Sequence, residues 1–495
     1  MSTSVMTAAV PPARLRTALE NAGLLIEVRG KLPPIIVNIT DDSRHAGTGV
    51  CFVAVRGSAR DGHAFLPDVE KDGAAMVIIG ADATTSLPAL VVNDTRAAAA
   101  VAAAAFYGEP AKSMQIVGVT GTNGKTTTVG LLRHLMDSPE TPSASIGTLG
   151  VLLGSGAPFA GGSGLTTPGP IELQRVLRAL AKAGVKRVAM EVSSHALDQQ
   201  RVGGVAFAAA VFTNLTRDHL DYHGTMEAYF EAKARLVSLL APDGVAVVNA
   251  DDPWWGQLAT APRTVRFGIT EPSDVRAAEV RYTPRGSAWL LQMGEASRPV
   301  VLPLIGDFNV MNALGAAAAA LALGMTVEQV AAKLAMAPQV PGRLELLSDR
   351  PTILRDYAHT PDALARALAA LRPFTPGRLI VLFGCGGDRD RGKRPLMAEA
   401  ARDGADVLVV TSDNPRTEDP ERILDDICAP LAAGTFARIE DRRAAIAHAI
   451  TLADPQRDVV LLAGKGHETY QIRGTTSHPF DEADIVKELL AGQGR

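Results

Sequence analysis

Residues 114–136 read MQIVGVTGTNGKTTTVGLLRHLM. A short apolar run, Ile116, Val117 and Val119, breaks at Gly121 and Gly124. After Lys125 and three threonines, Val129, Leu131, Leu132, Leu135 and Met136 recur at helical spacing. The pattern is strand, glycine loop, helix. Without side chains, Gly121 and Gly124 let the backbone turn tightly and aim its N–H groups at an anion. The helix N-terminus adds about half a positive charge at the same place. Lys125 is then placed to neutralise the β- and γ-phosphates of a nucleotide, and the Thr126 hydroxyl to ligate Mg²⁺. The spacing departs from the usual phosphate loop, because Val119 stands where a glycine six residues before the lysine is expected. An ordinary glycine turn is the alternative, but a Gly-Lys-Thr triplet at a strand-to-helix junction favours phosphate.

Composition bounds what surrounds this loop. A chain of 495 residues predicts about three domains, and 47% hydrophobic residues are ample for their cores. Aromatics make up only 4%, so those cores are built from Ala, Leu and Val. Net charge is −4, with pI near 6.2 and no basic run, which argues against nucleic acid as a partner. Cys51, Cys385 and Cys428 are scattered without metal spacing, and an odd, low count suits a reducing compartment. The first residues lack the pattern of a secretion signal, and the longest apolar stretch, around 313–325, is too short to span a bilayer. The expectation is a soluble cytoplasmic protein without membrane insertion.

Upstream of the loop, residues 1–111 read as a small mixed α/β domain. It has a loose start with one short helix, strands near 50–57, 74–80 and 89–94, and an alanine-rich helix over 95–108 closed by Gly108. Its distinctive polar pieces are Asp42-Ser43-Arg44 and the loop from Arg56 to Gly62.

Residues 112–340 read as the central, phosphate-loop domain. Pro170 starts a helix running to Lys182. A strand from Arg187 then ends on Glu191, and a carboxylate at a strand end beside a phosphate loop is where a further Mg²⁺ ligand normally sits. The stretch 208–240 delivers Asn214, Arg217, Asp218, His219, Asp221 and His223 into one loop, followed by a helix from Met226. Periodicity alone makes Lys233 a solvated residue of that helix. A small-residue helix over 306–325 carries Asn309 and Asn312 in its first turn.

Residues 341–495 repeat strand–helix alternation, which implies a Rossmann-like parallel sheet covered on both faces. Polar residues gather where such sheets bind ligands, beyond the strand ends: Asp356, His359, Arg389, Asp413 to Arg416, and Lys465 to Glu468. GCGGDR lacks the spacing of a dinucleotide fingerprint.

In this order, GTNGKTT, EVSSH, TNLTRDHLDYHG, FNVMNALGA, DYAHTP, GCGGDRDRGKRPLM, DNPRTEDP and GKGHE resemble the Mur ligase family of peptidoglycan synthesis, over essentially all of residues 40–470. The resemblance implies an ATP-dependent, amide-forming ligase of precursor synthesis. It would add meso-2,6-diaminopimelate to the D-glutamate carboxylate of UDP-MurNAc-L-Ala-D-Glu through an acyl phosphate. DNPR marks diaminopimelate-adding members. The resemblance further implies that Asp41, Ser43, Ser58, Ala59 and Arg60 hold the uridine diphosphate end. Thr166, Thr167, Ser193, Gln199 and Arg201 would meet the muramoyl-dipeptide. Gly121, Thr122, Asn123, Gly124, Lys125, Thr126 and Thr127 would cradle ATP, with Asn312, Arg343 and Asp356 also contacting it. Glu191 and His219 would ligate Mg²⁺ with Thr126, and Lys233 would be carbamoylated and so anionic. Arg389, Asp413, Asn414, Pro415, Arg416, Gly464 and Glu468 would bind diaminopimelate. The expected partners are these three small molecules, acting on a monomer. Rival readings are an L-lysine-adding member, a folylpolyglutamate synthase-like ligase, and a nonenzymatic nucleotide switch.

Overall fold

The computed structural model describes residues 9–57, 60–161, 164–283 and 285–493. The phosphate-loop strand, Gln115–Thr120, lies inside a ten-stranded sheet between Phe207–Phe212 and Arg187–Glu191, and pairs with both in parallel. Parallel strands in the middle of a sheet are covered on both faces, which is why these three read as near-continuous apolar runs. Register decides what reaches the loop. Val119 pairs with Glu191, and Thr120 pairs with Phe212, so Glu191 and the segment after Phe212 both emerge beside Gly121. Ile116, Val188, Met190, Phe207, Ala210 and Phe212 share one buried core with Leu173, Val176, Leu177 and Leu180 of the helix Pro170–Lys182. Full burial of each large aliphatic side chain there contributes about 1.5–3 kcal/mol.

The first sheet has five strands, in the order Leu25–Arg29, Ala89–Val92, Met76–Gly80, Val50–Val53, Asn38–Thr40. Leu25–Arg29 falls where the sequence pattern predicts only a loose start and a helix; it is an antiparallel edge strand held by pairing with Ala89–Val92. The alanine-rich helix Thr95–Tyr107 forms as its pattern predicts. The Asp94 carboxylate accepts from the Arg96 and Ala97 amides at its start, and Gly108 turns left-handed at its end.

The third sheet has six strands, in the order Glu345–Asp349, Thr352–Asp356, Val459–Ala463, Leu379–Phe383, Val407–Val410, Phe436–Arg438. Five run parallel as expected, and Glu345–Asp349 is an antiparallel edge. A separate hairpin, Tyr470–Arg473 with Thr476–Pro479, follows the GKGHE turn. These three sheets make the α/β fold class that the alternation of elements predicts.

Two compact units result. The first runs to Arg276 and takes in Gln292–Ala296 and Met311–Val330; the second comprises Ala277–Leu291, Ser297–Val310 and the chain from Ala331. Among the described residues, no helix is long and apolar enough to cross a membrane.

Candidate functional site

In the first unit, the loop after Gln115–Thr120 turns into the helix Lys125–Met136 through Gly124, whose φ of 84° is left-handed. A side chain at Gly124 would collide with the Asn312 carboxamide, and one at Gly121 with the Thr213 hydroxyl. Both glycines are therefore required by close approach as well as by conformation. The segment after Phe212 braces the loop. Thr122 N donates to Asn214 O at 2.7 Å, Asn123 N to Asn214 Oδ1 at 2.9 Å, and Thr213 Oγ1 to Asn123 O at 2.7 Å. Lys125 folds over the loop, donating to the carbonyls of Gly121 and Thr122 at 2.9 and 2.7 Å. Thr126 and Thr127 are buried in the first helical turn.

Lys233 is not solvated as periodicity predicts. It is 1% exposed, its Nζ donates to Gly121 O at 2.8 Å, and it lies 4.4 Å from the centroid of the Tyr229 ring. The helix Met226–Ala234 ends one residue later and passes into a 3-10 turn. It buries Tyr229, Ala232 and Lys233 together, so its buried face has an amino group in it. Burial holds the Lys233 amine well below the usual lysine range; the Lys125 charge adds to the effect, and Asp218 opposes it.

Glu191 is 1% exposed. Its carboxylate accepts from the Thr148 amide at 2.8 Å and the Thr148 hydroxyl at 3.1 Å, both neutral donors. Thr148 Oγ1 also lies 3.3 Å from Thr166 Oγ1, within hydrogen-bonding distance. Thr167 Oγ1 donates to Glu191 O at 2.9 Å and accepts from Ser193 N at 3.0 Å. Arg201 donates to Gln199 Oε1 at 2.7 Å and to Thr167 O at 3.2 Å. Thr166, Thr167, Ser193, Gln199, Arg201 and Glu191 thus form one connected network. His219 sits on a left-handed backbone (φ 52°), half-buried, with its ring edge-on to His195 at 4.9 Å. Burial pushes the His219 imidazole below its usual range against the pull of Asp218, with Lys125 and Lys233 adding to the push. His195 is pushed to about 4, by burial first and then by His219 and His223.

The residues expected at the uridine end are less gathered. Asp41 and Arg60 are exposed, and Ser43 opens a 3-10 turn capped by Asp42. Among the described residues no hydrogen bond ties Asp41 or Ser43 to Arg60, and Ser58 and Ala59 lie outside the described residues.

In the second unit, Arg343 stacks over the Tyr357 ring at 4.9 Å, and Asp356 accepts from Leu344 N at 2.6 Å. Burial raises the Asp356 carboxyl, against the pull of Arg343. The turn Asp413 to Arg416 packs against the GKGHE turn. Asn414 Nδ2 donates to Glu468 Oε2 at 2.8 Å, and its Oδ1 accepts from Lys465 Nζ at 3.0 Å and from Ile472 N at 2.9 Å. Lys465 is fully buried and also pairs with Asp413 at 3.7 Å. Gly464 lies against the Asp413 carboxylate. Pro415 is buried, and Arg416, left-handed at φ 53°, donates through Nη1 to Gly387 O at 2.8 Å. Arg389 is exposed and donates to Asp388 O at 3.0 Å.

Sequence reading missed two members of these clusters and the burial of a third. Thr148 carries no motif. Tyr229 reads as plain core. Lys465 stands out only as one of the polar residues beyond a strand end, with nothing to mark it as the buried hub of the turn.

Two family profiles account for the braced loop and the C-terminal turns. The Mur ligase middle domain matches residues 119–320, and the Mur ligase glutamate ligase domain matches 342–466. The chain belongs to the Mur ligase family. Relatives in this family include the UDP-N-acetylmuramoyl-L-alanyl-D-glutamate--2,6-diaminopimelate ligases of Synechococcus elongatus and Gloeobacter violaceus. Each is 44% identical; the first match covers 92% of this chain and 94% of the relative, the second 97% and 99%. A solved Mur ligase structure bearing the same enzyme name is 34% identical, with a TM-score of 0.70, over 99% of this chain and 100% of that one. A folylpolyglutamate synthase from Mycobacterium tuberculosis, 21% identical with a TM-score of 0.61 over 75% of this chain and 92% of that one, shares the fold.

Proposed function

We infer that this Mur ligase joins meso-2,6-diaminopimelate to the D-glutamate carboxylate of UDP-MurNAc-L-Ala-D-Glu at the expense of ATP, in peptidoglycan precursor synthesis. What carries the reading is near end-to-end similarity, 44% identity over 92–97% of the chain, to relatives named for that reaction. Residues 1–111 would hold the UDP-sugar, 112–340 ATP, and 341–495 the amino acid.

A free carboxylate is a poor electrophile, so the reaction needs it converted to an acyl phosphate. Charge building on the transferred phosphoryl group would be met by Lys125 and by the amides at the start of Lys125–Met136. The residues present fit Mg²⁺. The buried Glu191 carboxylate, held by neutral donors, and the Thr126 hydroxyl are hard oxygen ligands, and His219 would add a nitrogen. When bound, Mg²⁺ supplies charge neutralisation to the phosphates. As an ammonium, Lys233 would repel it; as a carbamate it would contribute an anionic oxygen. The amine of diaminopimelate then attacks the acyl carbon, and the tetrahedral intermediate collapses with loss of phosphate. No side chain becomes acylated, so the protein acts by positioning and electrostatics.

The Asp413–Arg416 turn supports diaminopimelate over L-lysine. Diaminopimelate ends in a second amino-acid head with a carboxylate, and Arg416 offers a planar fork for it. Phosphate release measured with ATP, the UDP-sugar-dipeptide, and either diaminopimelate or L-lysine tests the reading. Release that requires both the dipeptide and diaminopimelate supports it. Release independent of the amino acid, or preferring L-lysine, overturns it.

A further inference from the structure

Arg442 opens the helix Arg442–Leu452 and is wholly buried. Its guanidinium spans two backbone segments that are not neighbours in the sheet, since Leu379–Phe383 lies between Val407–Val410 and Val459–Ala463. Nη2 donates to Ala463 O at 2.9 Å, and Nη1 to Ser412 O at 3.3 Å. Ala463 immediately precedes Gly464, and Ser412 immediately precedes Asp413. The two acceptors are therefore the last carbonyls before the two turns that meet through Asn414, Lys465 and Glu468. Glu482, also wholly buried, holds the Nε–Nη2 edge of the guanidinium, its Oε1 accepting from Nε at 2.8 Å and lying 2.8 Å from Nη2. Glu482 belongs to the C-terminal helix Glu482–Gln493, well outside every motif that marks the ligand turns.

We propose that Arg442, oriented by Glu482, is a positioning residue that sets the spacing between the Asp413–Arg416 turn and the Gly464–Glu468 turn, and so the fit of the amino-acid substrate. The physical case is the fork. A guanidinium is planar with five donors, so one group reaches both carbonyls and a carboxylate at fixed mutual geometry. An ammonium in the same place keeps the charge but not the fan of donors, and one turn is released from the other. The inference rests on the assignment of these turns to the amino acid.

The test compares wild type, Arg442→Lys and Glu482→Gln, each as the full chain, by KM for all three substrates, kcat and melting temperature. Positioning predicts that Arg442→Lys raises KM for the amino acid at least tenfold while KM for ATP and for the UDP-sugar-dipeptide stays within twofold. Glu482→Gln should raise the amino-acid KM severalfold in the same selective way. A purely structural role would lower melting temperature and active fraction and leave all three KM values unchanged, and that result overturns the proposal. If Arg442→Lys does not fold, Glu482→Gln decides by the same criterion. A wild type that used L-lysine would sink the assigned substrate, and the clamp would then be scored on KM for L-lysine.

Discussion

The amino groups of Lys125 and Lys233 meet at a single acceptor: the carbonyl oxygen of Gly121 lies 2.9 Å from the first and 2.8 Å from the second. Two ammonium ions sharing one carbonyl in a desolvated site repel each other strongly, and the pKa of the more buried amine is pushed down. That amine is Lys233. A neutral amine is the form that adds CO₂.

Lys233 is therefore expected to carry a carbamate at neutral pH, where a free lysine is almost wholly protonated. The neutral fraction of an amine grows as pH rises through its pKa, and burial moves that pKa down. Activity should rise with added bicarbonate, and Lys233→Ala should be inactive but partly rescued by short carboxylates. Native mass spectra should show one carboxyl adduct that disappears in acid. An active enzyme with unmodified Lys233 rules the carbamate out.

Lys125→Ala should fold normally, because this lysine caps a loop and contributes little to the core. Catalysis should fall by about 3–4 kcal/mol, the scale of a lost transition-state charge partner. The measurements are kcat/KM and melting temperature together. Near-normal turnover in a folded variant would refute the phosphate-loop role.

Arg416→Ala should impair diaminopimelate use at least tenfold, a floor of about 1.4 kcal/mol that lies under the roughly 2–5 kcal/mol expected when one partner of a buried charge pair is removed. KM for ATP and for the UDP-sugar-dipeptide should change much less. Steady-state kinetics with each substrate varied in turn decides it; unchanged diaminopimelate kinetics means that Arg416 does not read the distal carboxylate.

Glu418 ties the turn after Arg416 to the Asp388 loop, accepting from Asp388 N at 2.6 Å and from the buried Arg394 at 2.9 Å. The Arg394 hydrogen bond, above all, holds the Glu418 carboxyl at about 2, from an ordinary 4.5. A carboxyl lowered on folding stabilises the protein above its unfolded pKa and ceases to do so as pH falls through the folded one. Wild type should thus be more stable than Glu418→Gln at neutral pH, with the gap closing between about pH 4.5 and pH 2. Denaturant unfolding across that range tests it, and a gap independent of pH contradicts the assignment.

Local chemistry explains which parts of the fold were legible in advance. Gly108 closes one helix, and Pro170 opens another, because caps and turns depend on a few adjacent residues. Glu191 could be placed at a strand end for the same reason. The edge strand Leu25–Arg29 was not legible, since none of its residues is fully buried and only pairing with Ala89–Val92 makes it a strand. The antiparallel Glu345–Asp349 edge is another such case.

By itself, the sequence determined the strand–glycine loop–helix unit, the alternation that makes an α/β protein, and an ordered set of motifs shared with the Mur ligases. Those depend on backbone preferences and periodicities that act over a few residues. Only the tertiary structure decided that Lys233 is buried against Gly121, 112 residues away, that Lys465 is the hub of the C-terminal turns, and that Arg442 spans two non-adjacent strand ends. Each of these is a polar group whose partners are set by strand order and register. A lysine or arginine reads as solvated in any local window, and becomes a buried, partnered group only when distant carbonyls are brought to it.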